Sequence, residues 1–172
     1  MSNLVKVEAG TGDHQSIAGA DWTWKMRSAQ TDGIFCFFEM IVEPGQGVPL
    51  HVHSYPEAFY VLEGKLEFHS DIGDGQFLNC GAGDVVLARP EVQHAFFNRG
   101  EIRARLLSIS SAAHESFFDA IVAADRDMPF ASMPPDQVFA RVATIGARTD
   151  NRFLVDQGTT PNPMISDRPS DA

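Results

Sequence analysis

His51 and His53 stand one residue apart, and Glu57 follows four positions after the second of them, in the stretch from Gly45 to Gly64. In an extended strand residues i and i+2 share a face, so the two imidazoles reach one point in space. Imidazole and carboxylate together make a donor set for a divalent first-row metal such as iron, nickel, zinc or manganese. Each residue also has a plainer reading. Buried histidines are commonly hydrogen-bonded parts of a core, and a glutamate at the start of a strand commonly faces solvent. The rest of the chain has to supply a scaffold and a further ligand.

The chain has 172 residues, 44% hydrophobic and 21% charged, which fits one soluble globular domain with a real core. Thirteen phenylalanines against two tyrosines point to a core of large apolar rings. The net charge of −10 argues against nucleic acid or an anionic membrane as the main partner, because both need a basic surface. Cys36 and Cys80 are too few for a disulfide framework and read as small core residues in a reducing compartment. No signal-peptide pattern and no bilayer-length apolar run is visible, so the expected location is cytoplasmic.

The elements that must position the histidines are short. After a short alternating piece at Leu4–Val7 and a polar run to residue 20, read as an edge strand or loose arm, Trp22–Arg27 alternates as a strand. Residues 34–42 are apolar nearly throughout and read as a strand covered on both faces, which leads to the expectation of a homodimer. Ala58–Ser70 reads as a hairpin bent at Glu63-Gly64, residues 71–75 as a loop, and 76–80, 85–88, 94–97 and 102–110 as further strands between Gly and Pro punctuation. Many short strands at such intervals indicate a β-sandwich or small barrel. Then Phe117, Phe118, Ile121 and Val122 mark a helix over 114–125. Pro134-Pro135-Asp136 starts a second helix with an apolar stripe of Val138, Val142 and Ile145, and Gly146 is its expected end. The expected organisation is an arm over 1–20, a barrel over 21–111, a helical extension packed on it over 112–157 and a flexible tail over 158–172.

Two motifs now line up. Gly45, His51, His53, Glu57 and Gly64 have the spacings of the first motif of the cupin superfamily, and Gly83, His94 and Asn98 stand at the offsets of its second. The chain resembles that superfamily over about residues 30–110. Two positions depart from it: Arg89 stands where the motif has proline, and Glu91 where it has a second glycine. The resemblance implies an all-β double-stranded β-helix, a jelly-roll barrel with short C-terminal helices. It also implies one divalent transition metal, held by His51, His53, Glu57 and His94. His51 and His53 would come from one strand, Glu57 from the start of the next and His94 from a strand across the barrel. Four protein ligands leave positions open on a metal that accepts five or six, which is the arrangement of a catalytic site.

His14, His69 and His114 lie outside any ligand pattern and read as surface residues, while Asn98, Gly45, Gly64 and Gly83 read as turn residues. The Phe-rich segment after the barrel, with Pro49-Leu50-His51 and Glu57–Gly64, is similar to small single-barrel cupins of the quercetin-dioxygenase-like group. That likeness implies a mononuclear oxygenase acting on a small enol or flavonol-like compound, with Glu57 taking the substrate proton as a catalytic base. The same site serves isomerase, cyclase or lyase chemistry with the metal as Lewis acid, and a non-catalytic barrel would bind a small ligand without turnover.

Overall fold

A computed structural model describes residues 4–70 and 77–154. The loop expected at 71–75 and the tail expected at 158–172 lie outside them. The strands are β1 (Asp13–Ile17), β2 (Ala20–Met26), β3 (Cys36–Val42), β4 (Gly47–Val52), β5 (Glu57–Glu63) and β6 (Lys65–His69). They continue as β7 (Phe77–Gly81), β8 (Val85–Ala88), β9 (His94–Phe97) and β10 (Ala104–Ser110). Helices α1 (Ala112–Asp127) and α2 (Pro135–Arg148) follow, and a short strand β11 (Arg152–Phe153) returns to the barrel.

Two antiparallel sheets face each other, in the orders β1-β2-β3-β10-β5-β8 and β11-β4-β9-β6-β7. This is the double-stranded β-helix. Residues on the inner faces form one core, which includes Phe38, Phe59, Val61, Leu66, Phe68, Phe96 and Leu106. Gly47 is required where β4 crosses closest to β9, because a Cβ there would lie 2.2 Å from the Phe96 carbonyl oxygen. Gly64 turns the β5–β6 hairpin at φ +72°, a conformation that glycine adopts without steric cost. Asn98, fully buried, donates to the carbonyls of Val42 and Ile102 and accepts from the Gly100 amide, so it ties three turns together.

Several expectations change. Leu4–Val7 forms no strand, and the polar run behind it supplies β1 instead, on the sheet edge beside β2. Strand β3 is not covered on both faces: Cys36, Phe38, Met40 and Val42 are buried while Phe37, Glu39 and Ile41 are half-buried, and Glu39 pairs with Arg105. The Phe richness hid an ordinary two-residue alternation. Gly146 does not end α2, which runs to Arg148. It is needed instead because β11 approaches so closely that a Cβ would lie 2.1 Å from the Asn151 carbonyl oxygen.

Helix α1 is capped by Ser111, whose side chain accepts from the Ala113 amide. It packs Phe117, Phe118 and Ile121 into the open end of the barrel, where Phe118 meets Trp22, Trp24 and Phe38 with ring centroids 4.8, 5.7 and 4.8 Å away. At the outer edge Arg27 pairs with Glu115 and Asp119, and the Ser28 amide donates to Glu115. Among the described residues no helix is long and apolar enough to cross a membrane.

Glu91 explains its own departure from the motif. Its φ is +63°, the left-handed region that a glycine occupies freely and a side chain occupies at a cost of roughly 1–2 kcal/mol. Its amide donates to the His53 carbonyl, so the strained turn braces the end of β4. Glu91→Gly should therefore raise stability by about 0.5–1 kcal/mol in urea unfolding, after the entropy of a more flexible unfolded chain is deducted. A lower midpoint would show that the side chain earns its place.

Candidate metal centre

His51, His53, Glu57 and His94 converge. Their ligand atoms lie within 4.8 Å of one another, and all four residues are buried. His51 and His94 face each other in register across the β4–β9 pair, with ring centroids 4.1 Å apart; His53 is 4.9 Å from His94. His94 thus comes from the strand beside β4 in the same sheet, not from across the barrel. The residue that crosses is Glu57, which opens β5 in the opposite sheet.

Backbone carbonyls fix the chemistry of the three imidazoles. Nδ1 of His51 donates to the Pro49 carbonyl at 2.9 Å, Nδ1 of His53 to Tyr55 at 2.7 Å and Nδ1 of His94 to Val92 at 2.9 Å. A carbonyl can only accept, so each ring holds a proton on Nδ1 and turns Nε2 toward the centre, where that of His53 lies 3.2 Å from Glu57 Oε2. Such outer hydrogen bonds are the usual way a protein orients metal-ligating histidines. The Tyr55 ring also stacks flat on His53, with centroids 4.0 Å apart. Nε2 of His94 is buried and has no hydrogen-bond partner, which costs free energy unless a cation or a donor fills the gap.

The carboxylate completes the set. Its Oε2 lies 3.2 Å from Nε2 of His53 and 3.7 Å from Nε2 of His94, while Oε1 accepts from the Ser108 hydroxyl at 2.6 Å. Burial alone would raise the Glu57 pKa, but the surrounding histidines, His114 first, hold it well below the usual carboxylate range. Burial, helped by His94 next to it, lowers His51 to about 3, so its imidazole is neutral at pH 7. Neutral nitrogen lone pairs and one carboxylate are what a divalent first-row ion requires, and the residues present fit it.

The site opens on a cavity of about 60 Å³. Its polar wall is His51, Glu57, Ser108, His114 and Asn151, and the remaining walls are mostly apolar, among them Phe38, Phe59, Phe96 and Phe117. The Asn151 Oδ1 is buried there without a partner. Two expectations about histidines need correction. His114 is not a surface residue: it is 4% exposed, on the inner side of α1, with Nδ1 3.7 Å from Glu57 Oε1. Its signal was present in the sequence, since His114, Phe117, Phe118 and Ile121 follow the i, i+3, i+4, i+7 stripe of a buried helix face. His69 is half-buried against Glu67 and the Phe77 and Phe97 rings, whereas His14 is exposed beside Asp21. Ser108 and Asn151 carried no spacing signal. Cys36 and Cys80 are buried and free, and burial pushes the Cys36 thiol up to about 12, which makes it a core residue rather than a ligand.

Removing one imidazole should cost metal without unfolding the barrel. His51→Ala and His94→Ala, purified without a histidine tag, are each expected to retain at least about tenfold less metal by elemental analysis than the parent protein. Full occupancy in both variants would refute the ligand set.

Residues 38–110 match the model of the cupin domain family. No curated protein matches the chain. Among solved structures, the polyketide cyclase RemF from Streptomyces resistomycificus is 19% identical, with a TM-score of 0.56 over 63% of this chain and 80% of that one. A predicted oxalate decarboxylase from Thermotoga maritima is 22% identical, with a TM-score of 0.56 over 62% of this chain and 98% of that one. A Cupin 2 conserved barrel domain protein from Salinispora arenicola is 19% identical, with a TM-score of 0.51 over 63% and 87%. At these identities the likeness is one of fold. The inner strands, the paired motifs and the matched segment agree: the chain folds as a double-stranded β-helix whose residues 38–110 are similar to a cupin domain, extended by two C-terminal helices.

Proposed function

We propose that the protein is a mononuclear metal-dependent enzyme of the quercetin-dioxygenase-like kind, an oxygenase acting on a compact, largely apolar compound with an acidic enol or hydroxyl group. One observation carries this reading. Three imidazoles, each held through Nδ1 by a backbone carbonyl, turn Nε2 toward one point and converge there with a carboxylate beside an apolar cavity. A divalent cation bound there supplies Lewis acidity, making the substrate hydroxyl easier to deprotonate.

The chain's own residues do the rest. His51, His53 and His94 hold three donors in fixed orientation. Glu57 takes the substrate proton on Oε2 while Ser108 keeps Oε1 anchored. Asn151 Oδ1 accepts from a second hydroxyl of the substrate, and the aromatic walls exclude water, which strengthens each charge interaction inside. Size limits the substrate. The cavity is far below the roughly 300 Å³ at which drug-sized pockets begin, which favours a small enol over a three-ring flavonol.

The fold shared with RemF, a polyketide cyclase, keeps a second enzymatic reading open, in which the same Lewis acid promotes cyclisation, isomerisation or elimination without oxygen. An oxygen electrode with a panel of compact enols separates the readings. Oxygen uptake that stops on chelation, and falls by about 10²–10⁴ in Glu57→Gln, is the expected result. Substrate conversion without uptake would replace the oxygenase by the Lewis-acid enzyme, and binding without conversion would leave a ligand-binding barrel.

A homodimer is part of the proposal. On the outer face of the six-stranded sheet, Phe37, Ile109, Ala58 and Leu87 pair in one cross-strand row, with Leu107, Tyr60 and Val85 in the next. Leu87 and Val85 are 58% and 64% exposed, and an apolar surface of this kind supports pairing with a second copy about a two-fold axis. Light scattering at micromolar concentration should give twice the chain mass, and Leu107→Lys should halve it. A monomeric parent protein would end this part of the proposal.

A further inference from the structure

His114 is the buried titratable group that the four-ligand set leaves unused. It lies outside the matched cupin segment, at the start of α1, and is 4% exposed. Its ring is enclosed by Phe118, Tyr55, Phe38 and His53, with centroids 5.0, 5.4, 5.7 and 6.0 Å away. Its Nδ1 is fully buried and has no hydrogen-bond partner. The acceptor it faces is Glu57 Oε1, at 3.7 Å.

Packing alone does not call for a histidine here. Phenylalanine or leucine would fill an aromatic niche without leaving a buried polar nitrogen unpaired. Oε1 has room for a second donor, because a carboxylate oxygen accepts two hydrogen bonds and Ser108 supplies one. A shift of about 0.7 Å closes the 3.7 Å gap to hydrogen-bond length. The first turn of α1 is itself held in place, by the Ser111 cap and by the Arg27 and Ser28 contacts to Glu115.

We propose that His114 is a positioning residue for Glu57. Its Nδ1–H and the Ser108 hydroxyl together hold Oε1, so that Oε2 stays turned toward Nε2 of His53 and His94 and is presented in one orientation to a bound cation. The C-terminal helix therefore contributes a fourth histidine to the centre through the carboxylate, not by binding the metal. This inference rests on the metal-centre reading above.

The test uses Co²⁺ as the probe, followed by its visible absorption, with His114→Leu and His114→Phe as apolar replacements and His114→Asn as the variant that keeps an N–H near the Nδ1 position. Thermal unfolding selects the apolar variant that is folded; two shapes are used so that one packing failure does not decide the matter. The folded apolar variant should bind Co²⁺ about tenfold more weakly with altered absorption bands, and His114→Asn should restore both. A purely structural role would move the melting temperature and leave the bands alone. Unchanged affinity and bands in the apolar variant, or no rescue by asparagine, would overturn the proposal. A parent protein that takes up no Co²⁺ would overturn the metal centre itself, and this inference with it.

Discussion

A carboxylate buried between two β-sheets sets the terms for the rest of this molecule. Taking an ionised Glu57 out of water costs several kcal/mol, and that cost has to be met where the group sits. The barrel meets part of it with the Ser108 hydroxyl, which donates to Oε1. The imidazoles, however, offer lone pairs toward the centre and not protons, because their Nδ1 atoms are committed to carbonyls. Lone pairs and a negative charge pointed at one spot repel each other unless a cation stands between them. The geometry is unfavourable when empty and favourable when filled, and this links the fold to a metal more firmly than motif spacing does.

The site is assembled from two parts of the chain with different duties. The segment similar to a cupin domain provides the donors: β4 and β9 lie side by side and bring His51 opposite His94, while β5 reaches from the other sheet with Glu57. The flanking parts provide the enclosure. Strand β2 and helix α1 meet through Trp22 and Phe118, and β11 pairs with β4 so that Phe153 stands opposite His51. Deep burial of the donors is a product of both.

Much of this was legible in the sequence. Strand geometry put His51 and His53 on one face, the resemblance to the cupin motifs added Glu57 and His94, and the fold brings all four side chains together. Gly and Pro punctuation located the strands for the same local reason. The misses share a cause as well. His114 was judged by ligand spacing and not by the helical stripe it belongs to; Ser108 and Asn151 reach the site only through tertiary packing. The apolar run at 34–42 concealed an alternation in which Glu39 faces outward, since Phe37 and Ile41 on the same face are themselves apolar. Glu91 looked like a break in a pattern, but its positive φ shows that the turn kept its shape and accepted the strain.

The division of labour between donors and enclosure has a consequence for lineage. The donors occupy residues 51–57 and 94, whereas much of the cavity wall comes from 17–22 and from 117–153. Drift in α1 or β11 can alter what is admitted while every donor stays in place, and the reverse change would abolish the centre outright. Such a barrel can change what it admits through its flanking segments alone, so the donors and the enclosure are free to vary at different rates.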